Sequence, residues 1–213
     1  MRKLATLLAA SMAVSLMIVA PVGAHNRSGS GSERLDNSAP VVVENRNHGY
    51  PVPAEDVVGW TTLVRSKNQL NATTFVNGLE PGGVYTFWWV APYEFKDGAP
   101  VMPAGVFVAR GAGTVVGESG TARVRMKATI NQPGILGLPV FEGAKWHKMQ
   151  DPLTSIVRIE IAYHGQADEA SGPAELRTWL SDFWTGAGDL CTTNTIAGQP
   201  HCPVYMASTH IVP

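Results

Sequence analysis

Beyond Ala24 the chain has no apolar run long enough to cross a bilayer. Charge is scarce and balanced: 16 Lys+Arg stand against 17 Asp+Glu, and only 15% of residues are charged. A chain so composed has no overall attraction for nucleic acid or for an acidic membrane surface. Cysteine is nearly absent, with Cys191 and Cys202 alone near the C-terminus. Two cysteines this close form one local disulfide in an oxidising compartment, and closing so short a loop contributes about 3 kcal/mol in the chain-entropy picture. Such a bond staples the tail rather than specifying the fold. The tight C-x-x-C spacing of redox or metal chemistry is missing. Also missing are a G-x-S-x-G elbow, an H-E-x-x-H helix, a phosphate-cradling glycine loop after a strand, and an acidic calcium loop of the usual spacing.

What is present begins with an export signal. Arg2 and Lys3 precede an uncharged run from Leu4 to Ala20, and Val22-Gly23-Ala24 offers residues suited to signal peptidase. Cleavage is expected before His25, giving a secreted or periplasmic chain. An uncleaved anchor is the rival, but Pro21 and Gly23 end the apolar run and no basic stop-transfer cluster follows. Removing residues 1–24 takes away Arg2 and Lys3, leaving 14 Lys+Arg against 17 Asp+Glu and a formal net charge of −3.

Residues 25–40 are polar and rich in Gly and Ser, the composition of a flexible leader. Residues 41–213 are expected to form a single domain, long enough to bury its own core. Strands are expected over Trp60–Arg65, Ala72–Val76, Val84–Val90, Ala104–Ala109, Thr114–Val116, Thr121–Ala128 and Ser155–Tyr163, with a last one in Pro203–Val212. In Thr121–Ala128 the residues Ala122, Val124, Met126 and Ala128 alternate with Thr121, Arg123, Arg125 and Lys127, which puts one face on a core and one in water. Pro173 can open a helix whose Leu176, Trp179, Leu180 and Phe183 make one apolar stripe, with Gly186 as a stop. The fold class that follows is mainly β, an immunoglobulin- or fibronectin-like sandwich with one C-terminal amphipathic helix.

The most specific local pattern is Gly78-Leu79-Glu80-Pro81-Gly82-Gly83-Val84-Tyr85. It resembles the tyrosine corner of such sandwiches, in which Tyr85 would bond back to the turn backbone, a folding device. The longer string GLEPGGVYTFWWV, with Arg158–Gly165 (RIEIAYHG) and the paired cysteines, resembles a group of secreted bacterial proteins that carry a G-L-x-P-G-x-x-Y-T-x-W-W string. That resemblance implies an exported β-rich domain and brings no activity and no catalytic residue.

Two ligand ideas arise. Within VYTFWWV, Tyr85, Phe87 and Trp89 share one face while Val84, Thr86, Trp88 and Val90 share the other. If one face is open, Trp88 with the nearby Tyr93 and Phe95 would form a platform for sugar rings or partner side chains. If not, both faces are core. Secondly, a mature chain beginning at His25 would resemble the copper brace of lytic polysaccharide monooxygenases, with a second ligand from His48, His147, His164, His201 or His210. The polar residues after His25 argue against the rigid start that a brace needs. Asp168 and Glu169 near His164 read as solvated loop carboxylates.

The function expected is an exported, non-catalytic binding or cell-envelope interaction module without a cofactor, its partner a glycan or a protein. The alternatives are a secreted enzyme, copper-dependent through His25, and a structural or assembly protein. Ionisable side chains converging in a cleft would mark the enzyme, a flat aromatic face the binding module, and an exposed apolar patch or unpaired edge the assembly protein.

Overall fold

The structure, a computed structural model, describes residues 25–26, 34–43, 56–91, 94–96, 99–101, 107–130, 152–182, 185–188, 190–191, 195–196, 199–200, 202 and 204–211. The expected signal segment, residues 1–24, lies outside these. The strands are β1 (His25–Asn26), β2 (Arg34–Val43), β3 (Val58–Ser66), β4 (Gln69–Asn77), β5 (Gly83–Ala91), β6 (Glu94–Lys96), β7 (Ala99–Val101), β8 (Phe107–Val115), β9 (Thr121–Thr129), β10 (Val157–Gln166), β11 (Thr195–Ile196), β12 (Gln199–Pro200) and β13 (Val204–His210). One α-helix, α1, spans Pro173–Trp179 among the described residues.

The protein is mainly β, and its principal strands follow one continuous antiparallel path, β8-β5-β10-β13-β2-β3-β4-β9, rather than dividing into separate sheets. The two ends of that path, β8 and β9, are consecutive in the chain. A side chain at Gly111 on β8 would run into Met126 on β9, so the ends pack together and the sheet is nearly closed into a barrel. β13 joins the halves, pairing with β10 along most of its length and with β2 through Met206↔Val43 and Ala207↔Val42.

β2 corrects the expected boundary. It pairs with β3 from Arg34↔Ser66 to Val41↔Gly59, so regular structure begins ahead of Val41. Composition suggested a leader there, but pairing with a neighbour overrides it: Ser38 Oγ and Thr62 Oγ1 lie 3.2 Å apart, and Asn37 Nδ2 donates to the Ile211 carbonyl at 3.2 Å. β8 likewise runs unbroken from Phe107 to Val115, where two shorter strands were expected. α1 carries Leu176 and Trp179, Leu180 caps its end, and Phe183 falls outside the described residues. The helix is therefore shorter than the apolar stripe suggested. Its end lies against the β8 edge, since a side chain at Gly113 would meet the Leu180 carbonyl.

Inside the barrel, Leu63, Leu70, Val76, Phe87, Trp89, Phe107, Ile159 and Ile161 form one apolar cluster. Full burial of each large side chain contributes about 1.5–3 kcal/mol. One end is closed by a turn in which the Gly83 N–H donates to the Glu80 carbonyl at 3.1 Å, with Pro81 and positive-φ Gly82 at its centre, the residues a type II turn demands. The backbone N–H of Glu80 donates to the Tyr85 hydroxyl at 3.3 Å, and the Tyr163 hydroxyl donates to Glu80 Oε2 at 2.8 Å. Toward Ser66, Arg65 reaches inward. Its guanidinium donates to the carbonyls of Pro152 at 3.0 Å, Ser155, and His210 at 3.0 Å. Between lies a hydroxyl chain, with Ser208 Oγ donating to Thr61 Oγ1 at 2.8 Å and Thr61 Oγ1 bonded to Thr74 Oγ1 at 2.9 Å.

Arg65→Leu would leave those buried carbonyls without their charged donor, and is expected to cost about 3–5 kcal/mol in denaturant unfolding. Hydrogen exchange at Ser155–Ile159 should rise with it. A loss under about 1 kcal/mol would show that Arg65 does not hold this end together.

Candidate functional site

Of the residues expected to form an aromatic platform, Trp88 is not at the surface. Trp88 is 2% exposed. Its indole N–H donates to Thr86 Oγ1 at 2.7 Å, and it packs with Val108, Ala162, Val204 and the cysteines. Tyr85 is buried in the barrel at the corner. Tyr93 lies outside the described residues, and of Phe95 only its backbone in β6 is described. Both faces of β5 are covered, one by the barrel interior and one by the segment after α1. His25 pairs through its backbone with Asp36, and its side chain is not described. Of the histidines named as partners for copper, His48, His147 and His201 lie outside the described residues, while His164 and His210 are buried.

His164 anchors the covered face. Its Nε2 accepts from Thr86 Oγ1 at 2.6 Å and its Nδ1–H donates to the Thr185 carbonyl at 2.6 Å, which fixes one neutral tautomer. Cys191 and Cys202 are joined as a disulfide, and Cys202 Sγ lies 3.2 Å from His164 Nδ1. These three side chains have the donor chemistry of a Cys₂His zinc site. As a disulfide the sulfurs are not thiolate ligands, and both ring nitrogens are already engaged, so the oxidised cluster is a structural pin. Tight packing supports that reading: a side chain at Gly186 would meet both Cys191 Sγ and the His164 carbonyl.

The open chemistry lies on the opposite wall, the outward side of β2-β3-β4-β9. Trp60 on β3 is 53% exposed, and its ring centroid is 4.6 Å from that of Phe75 on β4. Register sets the surroundings. One cross-strand row reads Pro40, Trp60, Phe75, Arg123; the next reads Ser38, Thr62, Thr73, Arg125; a third reads Asp36, Val64, Asn71, Lys127. Directly opposed residues share a face, so aromatic, hydroxyl, amide and cationic groups stand side by side. Val58, 61% exposed, and Val42 extend the apolar side. The exposed Arg123, Arg125 and Lys127 of β9 were read correctly from alternation. Trp60 was read as a strand residue only, because period-two alternation in Trp60–Arg65 does not say which set faces water. No protein family, curated protein or solved structure matches this chain.

The buried histidines make stability pH-dependent. Burial lowers the His164 pKa to about 4, against smaller raising effects of the Thr185 carbonyl and Asp182. Burial, aided by the Arg65 charge, lowers that of His210 to about 3. Unfolding releases both to the ordinary value near 6.5, so the unfolded state takes up protons first as pH falls. Stability is fully present above that value and is lost through the window from about 6.5 down to about 3–4, by about 3 kcal/mol for His164 alone. Urea midpoints at pH 7.5, 6, 5 and 4 are expected to fall progressively, and more shallowly in His164→Gln. Equal midpoints from pH 7.5 to 4 would contradict this account.

Proposed function

We propose that the protein is an exported, non-catalytic binding module that holds a glycan against the outward face of β2-β3-β4-β9. The observation that carries this reading is the exposed Trp60 packed against Phe75 on the outer wall of the sheet, ring centroids 4.6 Å apart. A sugar ring presents axial C–H groups on one side and hydroxyls around its rim. A rigid aromatic surface takes the first by burying apolar area at little entropic cost, and neighbouring hydroxyls and amides take the second. Thr62 and Thr73 stand in the next row, and Asn71 in the row beyond, to do so.

Two further facts favour binding over catalysis. Among the described residues, Arg158 with Glu160 at 2.9 Å and Arg65 beside His210 are buried, and the Tyr163–Glu80 bond is part of the turn before β5. His164, the residue closest to a catalytic type, is engaged at both nitrogens. The Cys191–Cys202 bond is compatible with an oxidising compartment, which suits the export signal. Among the described residues no helix is long and apolar enough to cross a membrane.

Trp60→Ala is expected to weaken glycan binding by about 1–2 kcal/mol, read by titration calorimetry against a panel of soluble oligosaccharides and polysaccharides. Because Trp60 is half in water, the thermal midpoint should move little. Trp88→Ala should do the reverse, lowering stability while leaving the affinity of the folded fraction unchanged. Unaltered affinity in Trp60→Ala would rule out this face as the binding surface.

A further inference from the structure

Resting on that reading, we propose that the glycan is acidic, a polymer with a carboxylate or comparable anion on its repeating units, and that Arg123, Arg125 and Lys127 select it. These three residues are exposed and project from the same side of β9. Alternate residues of a strand are about 7 Å apart, so the cations form a straight row about 14 Å long. The row runs beside the aromatic pair rather than apart from it: Arg123 lies directly across from Phe75, which lies directly across from Trp60. Strand spacing places these neighbours about 5 Å apart, within the span of one sugar ring.

Charge on the outward side of β9 is of one sign. Among the described residues no carboxylate pairs with Arg123, Arg125 or Lys127. The described carboxylate on the outward side of the paired rows is Asp36, three strands away on β2. Glu118 belongs to the loop before β9, beyond Thr121. A row of cations without a counter-ion among the described residues, in a chain of net charge −1, is a local concentration of positive charge that the composition does not reveal. Arginine adds geometry, since its guanidinium meets a carboxylate with two parallel N–H donors. The division of labour is then explicit: Trp60 and Phe75 take the ring face, Thr62, Thr73 and Asn71 the hydroxyls, and the β9 cations the acid groups. Simple polyanion attraction needs only the last of these, and nucleic acids or anionic vesicles would satisfy it equally.

The test uses the full mature chain with polygalacturonate, its methyl-esterified neutral form, duplex DNA and phosphatidylglycerol vesicles as probes. Wild type is expected to prefer polygalacturonate over the ester by at least about tenfold in 50 mM salt, and to lose most of that preference in 500 mM salt. R123Q/R125Q/K127Q should remove the preference while keeping wild-type thermal stability, and Trp60→Ala should weaken binding to both polysaccharides. Equal affinity for ester and acid, still sensitive to Trp60→Ala, would overturn the acidic specificity and leave the glycan reading standing. Sensitivity to the triple substitution alone, or equal binding of DNA or vesicles, would reduce the face to a polyanion sink and overturn both. No binding of polygalacturonate overturns the specificity outright.

Discussion

The pairing of β13 is what makes one sheet of two halves. On one side it runs against β10 from Val157↔His210 to Ala162↔Val204; on the other it meets β2 through two residue pairs only. So narrow a seam needs help from side chains, and it receives it from polar groups in the barrel interior. Ser208 on β13 bonds to Thr61 on β3, and Arg65 on β3 bonds to the His210 carbonyl at the strand's end. Polar groups inside a core cost energy unless satisfied, and here both bonds reach across β2 to tie β13 to β3, strands that no backbone pairing joins directly. Placing hydroxyls and a guanidinium within the wall gives the junction a specific register that apolar packing would leave looser.

The sheet's two walls then take opposite fates. Behind β5 and β10 the C-terminal segment lies down as a cover, pinned by His164, Thr185 and the Cys191–Cys202 bond. Trp88 and the Arg158–Glu160 pair are buried on this side. In front of β3, β4 and β9 no described segment lies over Trp60, and aromatic and basic groups meet water. A chain with few charges has concentrated exposed cations beside its Trp60–Phe75 pair. The cover stabilises; the open wall is where a ligand has room.

Much of the β structure was legible because alternation and turn chemistry are local. β9 showed its two faces outright, and Pro81-Gly82 announced the turn before β5. The strand order was not legible, since nothing in Val204–His210 states that it will join β10 to β2. Nor was β2 itself, whose Asp36, Asn37 and Ser38 are poor strand formers held by their neighbours. The burial of Trp88 was illegible for a related reason. VYTFWWV drew attention because it is the densest aromatic run, yet dense apolar runs are what a strand buried on both faces requires. Trp60 gave the weaker signal in sequence and the stronger one in space. Its significance depends on Phe75 and Arg123 arriving beside it from β4 and β9, which only long-range register decides.

That register has a further consequence. β3, β4 and β9 are tied residue for residue along nine positions, and in β9 each outward cation alternates with an inward apolar residue. A slip by one residue would move Arg123, Arg125 and Lys127 into the barrel and push Val124 and Met126 into water. The surface pattern and the interior are therefore one piece of information written twice. A chain that folds at all must display its cations in the correct row, so the quality of the core acts as a proofreader for the outward wall.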